Sequence, residues 1–419
     1  MMNDFDGKHT VMRFAVAMAT ASASVSVLAS GFALQNQNGA GSGSAFAGQA
    51  AVAEDASTIF FNPAGMTRLP AGHSVSLAAT ALSRSLEFAN NGTNPLGAFP
   101  VGGNGGDAGG TSLIPAGYYS YAVSPALRFG LGISAPFGNK TEWESMFAGR
   151  FQGSYSEIKS VNINPSVAYA VNDRLSLGFG VNWLELKADL RSALPLAGEP
   201  LSKLDGKGDD WGYNLGLLWQ LSPAMRLGLS YRSTVKVELE GTATVPAPVP
   251  VRAEIKLPDT LSLSLHQRLS DRWEMMGDWT WTGWSSLPAL TVMSRATGAL
   301  ISSEQLGFRD SWRLGFGGAY RYDDAWKIRF GIAYDRTPVP DMVARTVRLP
   351  DSDRWWFSVG ARWQFAPRSS LDLGYTHIFF EDERINRPTL AGGLPTGQFV
   401  RGLFETSADL FSLQLNHSF

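Results

Sequence analysis

The sequence predicts an all-β protein, a transmembrane antiparallel β-barrel of about 14 strands with an N-terminal plug inside its lumen. Three observations lead to this prediction. An export signal opens the chain, runs of alternating apolar and polar residues fill most of the rest, and the links between runs alternate between short and long. Such alternation is expected of a barrel with periplasmic turns at one end and larger extracellular loops at the other.

The first residues have the features of a signal peptide. Lys8 and Arg13 precede an apolar run of small residues over 14–30. This run is too short and too alanine-rich for a spanning helix, and its small residues fit a cleavage site after Ala29. A retained anchor or an ordinary first helix is the alternative. We therefore predict that residues 1–29 are removed and that the mature chain leaves the cytoplasm.

The region 74–419 alternates with a period of two, which is typical of strands with one apolar face. The segments 160–171, 211–221 and 354–365 show the pattern clearly. Their apolar faces carry Trp, Tyr or Phe near the ends, as a lipid-facing surface with aromatic girdles requires. The last run ends in Phe419, which resembles the assembly signal of outer-membrane barrels. A secreted two-sheet protein is the alternative, and it leaves the alternation of link lengths unexplained.

The segment before the first strand, residues 30–73, does not follow the strand period. It is rich in Gly, Ala and Ser, yet it carries Phe32, Phe46 and Phe61, which a free linker would not need. A barrel of this size encloses more space than its own side chains fill. We therefore predict that this segment is a plug, or hatch, inside the barrel.

Composition excludes several classes of function. The chain has no cysteine, so disulfide frameworks, thiolate metal sites and cysteine nucleophiles are excluded. Its net charge of -2 leaves no basic footprint for nucleic acid. The glycine-rich stretch 39–44 lacks the third glycine of a dinucleotide loop, and His377 has acidic neighbours but no nucleophile context. No enzyme activity, catalytic residue, cofactor or metal is predicted.

The loop over 138–156 is a candidate binding surface. Trp143, Met146, Phe147 and Phe151 follow a spacing that would place them on one side of a short helix. Exposed apolar clusters on loops usually indicate binding. The alternative is that these side chains only pack against neighbouring loops.

The end of the third strand carries a second signal. Pro136 and Gly138 interrupt the alternation there, and proline cannot donate to a β-ladder whereas glycine permits a bulge. A broken ladder in contact with lipid is costly. The sequence therefore predicts an opening, or compensation from inside the barrel. The alternative is that the strand simply ends at Ser134.

Taken together, these segments resemble the FadL/TodX family of outer-membrane transporters for long-chain fatty acids and aromatic hydrocarbons. The resemblance covers essentially the whole chain after the signal peptide. The matching stretches are GFAL (31–34), SGSAFAGQAAVAEDAST (42–58), the triplet Asn62-Pro63-Ala64, APFGNKTEW (135–143), residues 164–183 and the terminal Phe419.

The resemblance implies a hatch beside an inward kink of the third strand, which makes a lateral opening. The residues expected to form this gate are Asn62, Pro63 and Ala64 of the plug, facing Pro136, Phe137 and Gly138 of the strand. The residues expected to contact ligand are Phe32 in the interior, Trp143, Met146, Phe147 and Phe151 on the outer loop, and Arg191 as partner of a carboxylate. The family's cation aligns with Ser192, and in a strand an offset of one residue reverses the face.

The expected function is passive, ligand-gated uptake of long-chain fatty acids or similar hydrophobic molecules across the outer membrane of a Gram-negative bacterium. Ligand would be captured on the extracellular loop and released sideways into the membrane through the gap at the third strand. The expected partners are this ligand, outer-membrane lipid and lipopolysaccharide. The alternatives are uptake of aromatic hydrocarbons by the same fold and a general porin for polar solutes.

Overall fold

The structure is a computed structural model that describes residues 31–244, 247–391 and 393–419. The predicted signal peptide lies outside the described residues. Within them, the strand segments all join one antiparallel sheet, and no helix is long and apolar enough to cross a membrane.

The sheet is built from segments joined by short turns at one end and long loops at the other. In chain order they are β1 His73–Asn90, β2 Gly110–Ala122, β3 Leu127–Ser134, β4 Gly138–Glu142, β5 Tyr155–Ala170, β6 Leu175–Ala193, β7 Leu201–Ser222, β8 Met225–Arg232, β9 Val235–Thr244, β10 Pro248–Leu257, β11 Thr260–Arg268, β12 Trp273–Thr282, β13 Ala289–Ser294, β14 Leu300–Gln305, β15 Ser311–Arg321, β16 Trp326–Asp335, β17 Arg354–Ala366, β18 Ser369–Phe380, β19 Glu383–Ala391 and β20 Leu394–Ser418.

Several wall strands consist of two successive segments with a bend or bulge between them. These composite strands are β3 with β4, β8 with β9, β10 with β11, β12 with β13, and β14 with β15. The segment β19 forms an outer hairpin with β20. Because β1 pairs with β20 from Ser74↔Ser418 to Asn90↔Gly402, the sheet closes on itself. The wall therefore has 14 antiparallel strands, which confirms the predicted barrel.

The two faces of each strand differ as the alternation predicts. On β17, Trp355, Phe357 and Val359 point outward and are 42%, 45% and 56% exposed, whereas Trp356 and Ser358 are buried on the inner face. Successive side chains of a strand point to opposite sides of the sheet. A continuous apolar outer surface of this kind suits hydrocarbon rather than water.

Residues 31–72 lie inside the barrel. They form three short helices, α1 Gly39–Ser42, α2 Gln49–Val52 and α3 Thr58–Phe61, followed by a 3₁₀ helix Pro63–Arg68. The helix α1 contacts β17, β18 and β20, α2 contacts β8 and β11, and the 3₁₀ helix contacts β5, β6 and β7. Because these contacts run round the wall, the segment occupies the lumen.

Small residues allow the backbone of this plug to touch the wall. A Cβ on Gly360 of β17 would stand only 2.6 Å from the Cα of Gly43. Real Cβ atoms do not approach another backbone so closely, so glycine at both positions permits contact between the two main chains. This explains why the plug sequence is rich in Gly, Ala and Ser.

Largely buried ion pairs also hold the plug to the wall. The Glu54 carboxylate accepts hydrogen bonds from Lys327 at 2.8 Å and from Arg329 at 2.6 Å. The Arg362 guanidinium bridges Glu54 and Asp55 at 3.1 and 3.2 Å. Buried charges persist only when they are paired, so the loop between α2 and α3 is tied to β16 and β17.

Candidate functional site

The ladder of the third wall strand is interrupted between β3 and β4. Ser134 pairs with Asn162 of β5, and Gly138 pairs with Lys159. Three residues of the third strand therefore oppose two residues of β5, which is the geometry of a bulge. On the other side, β2 pairs with β3 as far as Gly117↔Ile133, and among the described residues no ladder pair joins β2 to β4.

The first residues of the plug satisfy the backbone at this break. The Leu34 amide donates to the Pro136 carbonyl at 2.7 Å, and the Gly138 amide donates to the Phe32 carbonyl at 2.9 Å. An isolated bridge joins Ala33 to Phe137. Residues 32–34 thus act as a short added strand on the inner side of the kink.

Two side chains complete this closure. Gln37 donates to the Ala135 carbonyl at 2.8 Å and accepts from the Ala135 amide at 3.2 Å. The Ser160 hydroxyl accepts from the Phe137 amide at 2.9 Å and donates to the Phe137 carbonyl at 2.6 Å. Buried backbone groups must be paired. These contacts therefore close the break from inside the barrel, which is the compensation that the sequence predicts as the alternative to an opening.

The triplet Asn62-Pro63-Ala64 does not face the kink, contrary to expectation. The Asn62 side-chain amide donates to the Ala50 carbonyl at 2.7 Å and to the Leu217 carbonyl of β7 at 3.0 Å. Its side-chain oxygen accepts from the Ala64 amide at 3.1 Å and so caps the 3₁₀ helix that Pro63 begins.

The physical reason for this placement is space at the wall. A Cβ on Gly216 of β7 would stand 3.0 Å from Pro63, and one on Gly178 of β6 would stand 2.9 Å from the Ala64 Cα. The two glycines leave a hollow in the wall that receives the capped turn. The triplet therefore packs against β6 and β7, and residues 32–37 contact the kink instead.

Beside the kink lies a cavity inside the barrel, with a volume of about 60 Å³. Its apolar lining consists of Phe32, Ile158, Leu190, Ile255, Leu287, Leu290, Leu306, Phe308 and Leu349. Phe32 also packs against Phe137 of the kink, with ring centroids 5.9 Å apart, and against Trp284 at 4.9 Å. One side chain is therefore part of both the cavity and the closed break.

The cavity has a polar end that the sequence analysis missed. Arg348, from the loop between β16 and β17, lies 3.5 Å from Glu304. It donates to the carbonyls of Tyr155 at 2.8 Å and Arg191 at 3.0 Å. Burial lowers the pKa of Arg348, and Glu304 opposes that shift. No local pattern distinguishes this arginine in the sequence, because it reaches the cavity from a long loop.

Arg191 does not line the cavity. On β6 it has the same parity as Phe179, which points outward. Its guanidinium pairs with Asp189 at 2.7 Å and lies 4.4 Å from the centre of the Tyr155 ring. The neighbouring Leu190 lines the cavity instead. Arg191, one residue from the position that the resemblance implies, is therefore on the outer face of the strand.

The outer loop differs from the expectation as well. Its residues form turns rather than a short helix. Trp143 and Phe147 are buried and stacked on each other at 4.2 Å, in a cluster with Phe88 and Phe404. Of the four predicted residues, Met146 alone is exposed.

The fourth of these residues, Phe151, is buried against Phe99, with ring centroids 5.6 Å apart. The structure thus agrees with the alternative in which these side chains pack against neighbouring loops. The cluster that covers Trp143 and Phe147 is formed by residues of β1, β19 and β20 and of the loops before β2 and β17.

Comparison with known proteins identifies relatives of this chain. Residues 20–419 match the family model described as outer membrane protein transport protein (OMPP1/FadL/TodX). A long-chain fatty acid transport protein of Salmonella typhi is 27% identical over 82% of this chain and 86% of its own length. Outer membrane protein P1 of Haemophilus influenzae is 28% identical over 90% of this chain and 92% of its own.

A solved structure supports the same assignment. The crystal structure of a Pseudomonas aeruginosa FadL homologue matches with a TM-score of 0.85 and 25% identity, over 93% of this chain and 100% of that chain. The closed barrel, its apolar outer surface and these relatives place the protein in the outer membrane of a Gram-negative bacterium. It is a transport protein rather than an enzyme. The chain belongs to the OMPP1/FadL/TodX family of outer-membrane transport proteins.

Proposed function

We propose that this protein is a passive, ligand-gated channel for long-chain fatty acids or similar hydrophobic molecules, which leave it sideways at the third strand. The observation that carries the proposal is the double contact of Phe32, which lines the interior cavity and packs on Phe137 of the closed break. Two further features support it: the mostly apolar cavity lining, and relatives named as long-chain fatty acid transport proteins.

The coupling between ligand and gate follows from these contacts. An acyl chain that enters the cavity competes with the Phe32 ring for the same space. Displacing residues 32–34 would break the hydrogen bonds to Pro136 and Gly138, and each buried group left unpaired costs about 1–3 kcal/mol. Burial of each ligand methylene contributes about 0.8 kcal/mol. A chain of several methylenes therefore offsets the opening, and the gradient drives net uptake without a nucleotide.

Capture at the outside is assigned to the loop that contains Met146. Met146 is exposed and directly precedes Phe147, which is buried in the aromatic cluster with Trp143. Lipid and lipopolysaccharide are the proposed partners of the outer surface. Beyond the apolar band of β6, ion pairs such as Lys187–Glu185, at 3.0 Å, carry both signs of charge. These charges can interact with the phosphate groups of lipopolysaccharide and with their counter-ions.

A reversible lock on the gate tests the proposal. The bridge between Ala33 and Phe137 places their Cα atoms within about 4.5–5.5 Å, which suits a disulfide. Because the chain has no cysteine, an Ala33→Cys, Phe137→Cys variant can form only the intended bond within a molecule. Oxidation should abolish [14C]oleate uptake by a strain that lacks its own transporter, and a reductant should restore it.

The two single-cysteine variants under the same oxidant are the controls. Oleate uptake that persists in the oxidised double variant would refute lateral release through this break. Parallel assays with [14C]toluene distinguish a channel for aromatic hydrocarbons. A large, steady ion conductance of the purified wild type in planar bilayers would instead support a porin for polar solutes.

A further inference from the structure

A second polar site lies inside the barrel, on the part of the wall formed by β5 to β8. Asn214 pairs across the ladder with Gly180 on one side and with Arg232 on the other. Asn164 and Asn182 each donate to the Asn214 side-chain oxygen at 3.0 Å. The side chains of Asn164, Asn182, Asn214 and Arg232 therefore lie close together. Gly180 has no side chain and leaves space for them.

This cluster contains more hydrogen-bonding groups than the protein satisfies. Among the described residues, no partner reaches the Oδ1 atoms of Asn162 and Asn164, the Nδ2 atom of Asn214 or the Oγ atom of Ser166, although all four side chains are buried. Buried polar groups in proteins are normally paired. A set of four neighbouring exceptions indicates a site prepared for something other than the chain itself.

The cluster also holds a guanidinium without a counter-ion. Arg232 donates to the Asn182 side-chain oxygen and, at 2.9 Å, to the Phe60 carbonyl of the plug. No carboxylate of the described residues lies within ion-pair distance of it. By contrast, Arg313 pairs with Asp278 at 3.3 Å elsewhere in the lumen. A partly buried cation without an anion is costly, so an incoming anion would be stabilised here.

Apolar groups adjoin this polar site. The Arg232 guanidinium lies 4.7 Å from the centre of the Phe60 ring, and that ring meets Phe61 at 5.1 Å. Both phenylalanines are only partly buried. On the opposite side, Asn162 reaches the Ser134 hydroxyl at 3.4 Å, at the last residue before the break. The site thus combines a cationic, amide-lined end with an aromatic surface and adjoins the gate.

We propose that Arg232 and Asn214, positioned by Asn164 and Asn182, bind the carboxylate of an amphiphilic ligand on its way from the interior cavity to the gate, while its apolar chain lies along Phe60 and Phe61. A carboxylate can accept from the guanidinium and from the free Asn214 amide together. An uncharged head group gains much less. This inference rests on the proposed transport function and deepens it, since it assigns selection for carboxylates to a particular site.

The test compares two ligands with the same chain and different heads, [14C]oleate and [14C]oleyl alcohol. Arg232→Gln should lower oleate uptake about tenfold, the loss expected for one charge-assisted hydrogen bond, and should leave oleyl alcohol uptake unchanged. Arg232→Lys, which keeps the charge, should retain most oleate uptake. Arg252→Gln, at an exposed arginine of β10, is the matched control and should change neither.

Each outcome has a distinct meaning. Unchanged oleate uptake in Arg232→Gln, or an equal loss for both ligands, would overturn the carboxylate site. If the wild type takes up neither ligand, the proposed function itself fails. Should Arg232→Gln not assemble into a heat-modifiable barrel, Asn214→Leu tests the same site by removing the free amide. It should reduce oleate uptake several-fold relative to oleyl alcohol, and an unchanged ratio would refute the inference.

Discussion

At the scale of single residues, one buried carboxylate ties the plug to the extracellular side. Asp351 accepts from the Gly31 amide at 3.1 Å and from the Thr337 hydroxyl at 2.6 Å, and it pairs with Arg354 at 2.9 Å. Burial raises the pKa of Asp351, against the lowering effect of Arg354. Since Gly31 precedes Phe32, this carboxylate holds in place the residue that contacts both the cavity and the closed break.

The raised pKa of Asp351 leads to a prediction about pH. The folded protein binds this proton more tightly than the unfolded chain does, so the contribution of Asp351 to stability is complete below the ordinary aspartate pKa of about 3.9. It is lost as pH rises through the raised pKa. Above a pH of about 3.9, the temperature of the heat-modifiable gel transition should therefore depend less on pH in Asp351→Asn than in the wild type.

Asp341→Asn is the control for this experiment, because Asp341 is exposed in the same loop. Its transition should follow pH as the wild type does. If the transition temperature of Asp351→Asn depends on pH as strongly as that of the wild type, Asp351 is not the source of this pH dependence.

At the scale of elements, two of the attachments between the plug and the wall differ in kind. Residues 32–37 join the kink through hydrogen bonds and one aromatic contact, whereas the loop between α2 and α3 joins the wall through the ion pairs of Glu54. Breaking a buried ion pair costs about 3–5 kcal/mol. We therefore expect the ion pairs to hold the body of the plug in place when the first residues detach in the proposed gating step.

This division predicts the effect of Glu54→Gln. The substitution leaves Lys327, Arg329 and Arg362 with less negative charge, so the body of the plug should loosen and admit water. Single-channel recordings should show frequent conductance steps in the variant and few in the wild type. Glu144→Gln, at an exposed glutamate of the outer loop, should behave like the wild type, and silent Glu54→Gln channels would contradict the prediction.

At the scale of the whole molecule, the barrel closes at its last residue. The His73 amide donates to the Phe419 carbonyl at 2.8 Å, the Phe419 amide returns to the His73 carbonyl at 3.0 Å, and the two rings stack at 4.9 Å. Closure removes the free edges that a sheet cannot leave in lipid. The terminal aromatic is therefore part of the seam between β1 and β20.

We expect Phe419→Ala to lower the yield of assembled barrel, because it keeps the backbone pair but removes the ring from the seam. The fraction of heat-modifiable protein in isolated outer membranes measures this. Phe365→Ala, at an exposed outward ring of β17 away from the seam, is the control. Equal yields for both variants would show that Phe419 has no special part in closure.

The sequence by itself determined the architecture of this protein. Period-two alternation, aromatic ends and alternating link lengths are local properties, and they were sufficient for 14 strands, their two faces and the break at Pro136. They also indicated that residues 30–73 are too apolar for a linker.

Only the tertiary structure decided which residues meet inside the barrel. The triplet Asn62-Pro63-Ala64 packs on Gly178 and Gly216 rather than on the kink. Arg348 reaches the cavity from a long loop while Arg191 faces outward, and Trp143 is covered by strands distant in sequence. The physical reason is that strand pattern is encoded by neighbouring residues, whereas luminal contacts depend on the packing of segments that lie hundreds of residues apart.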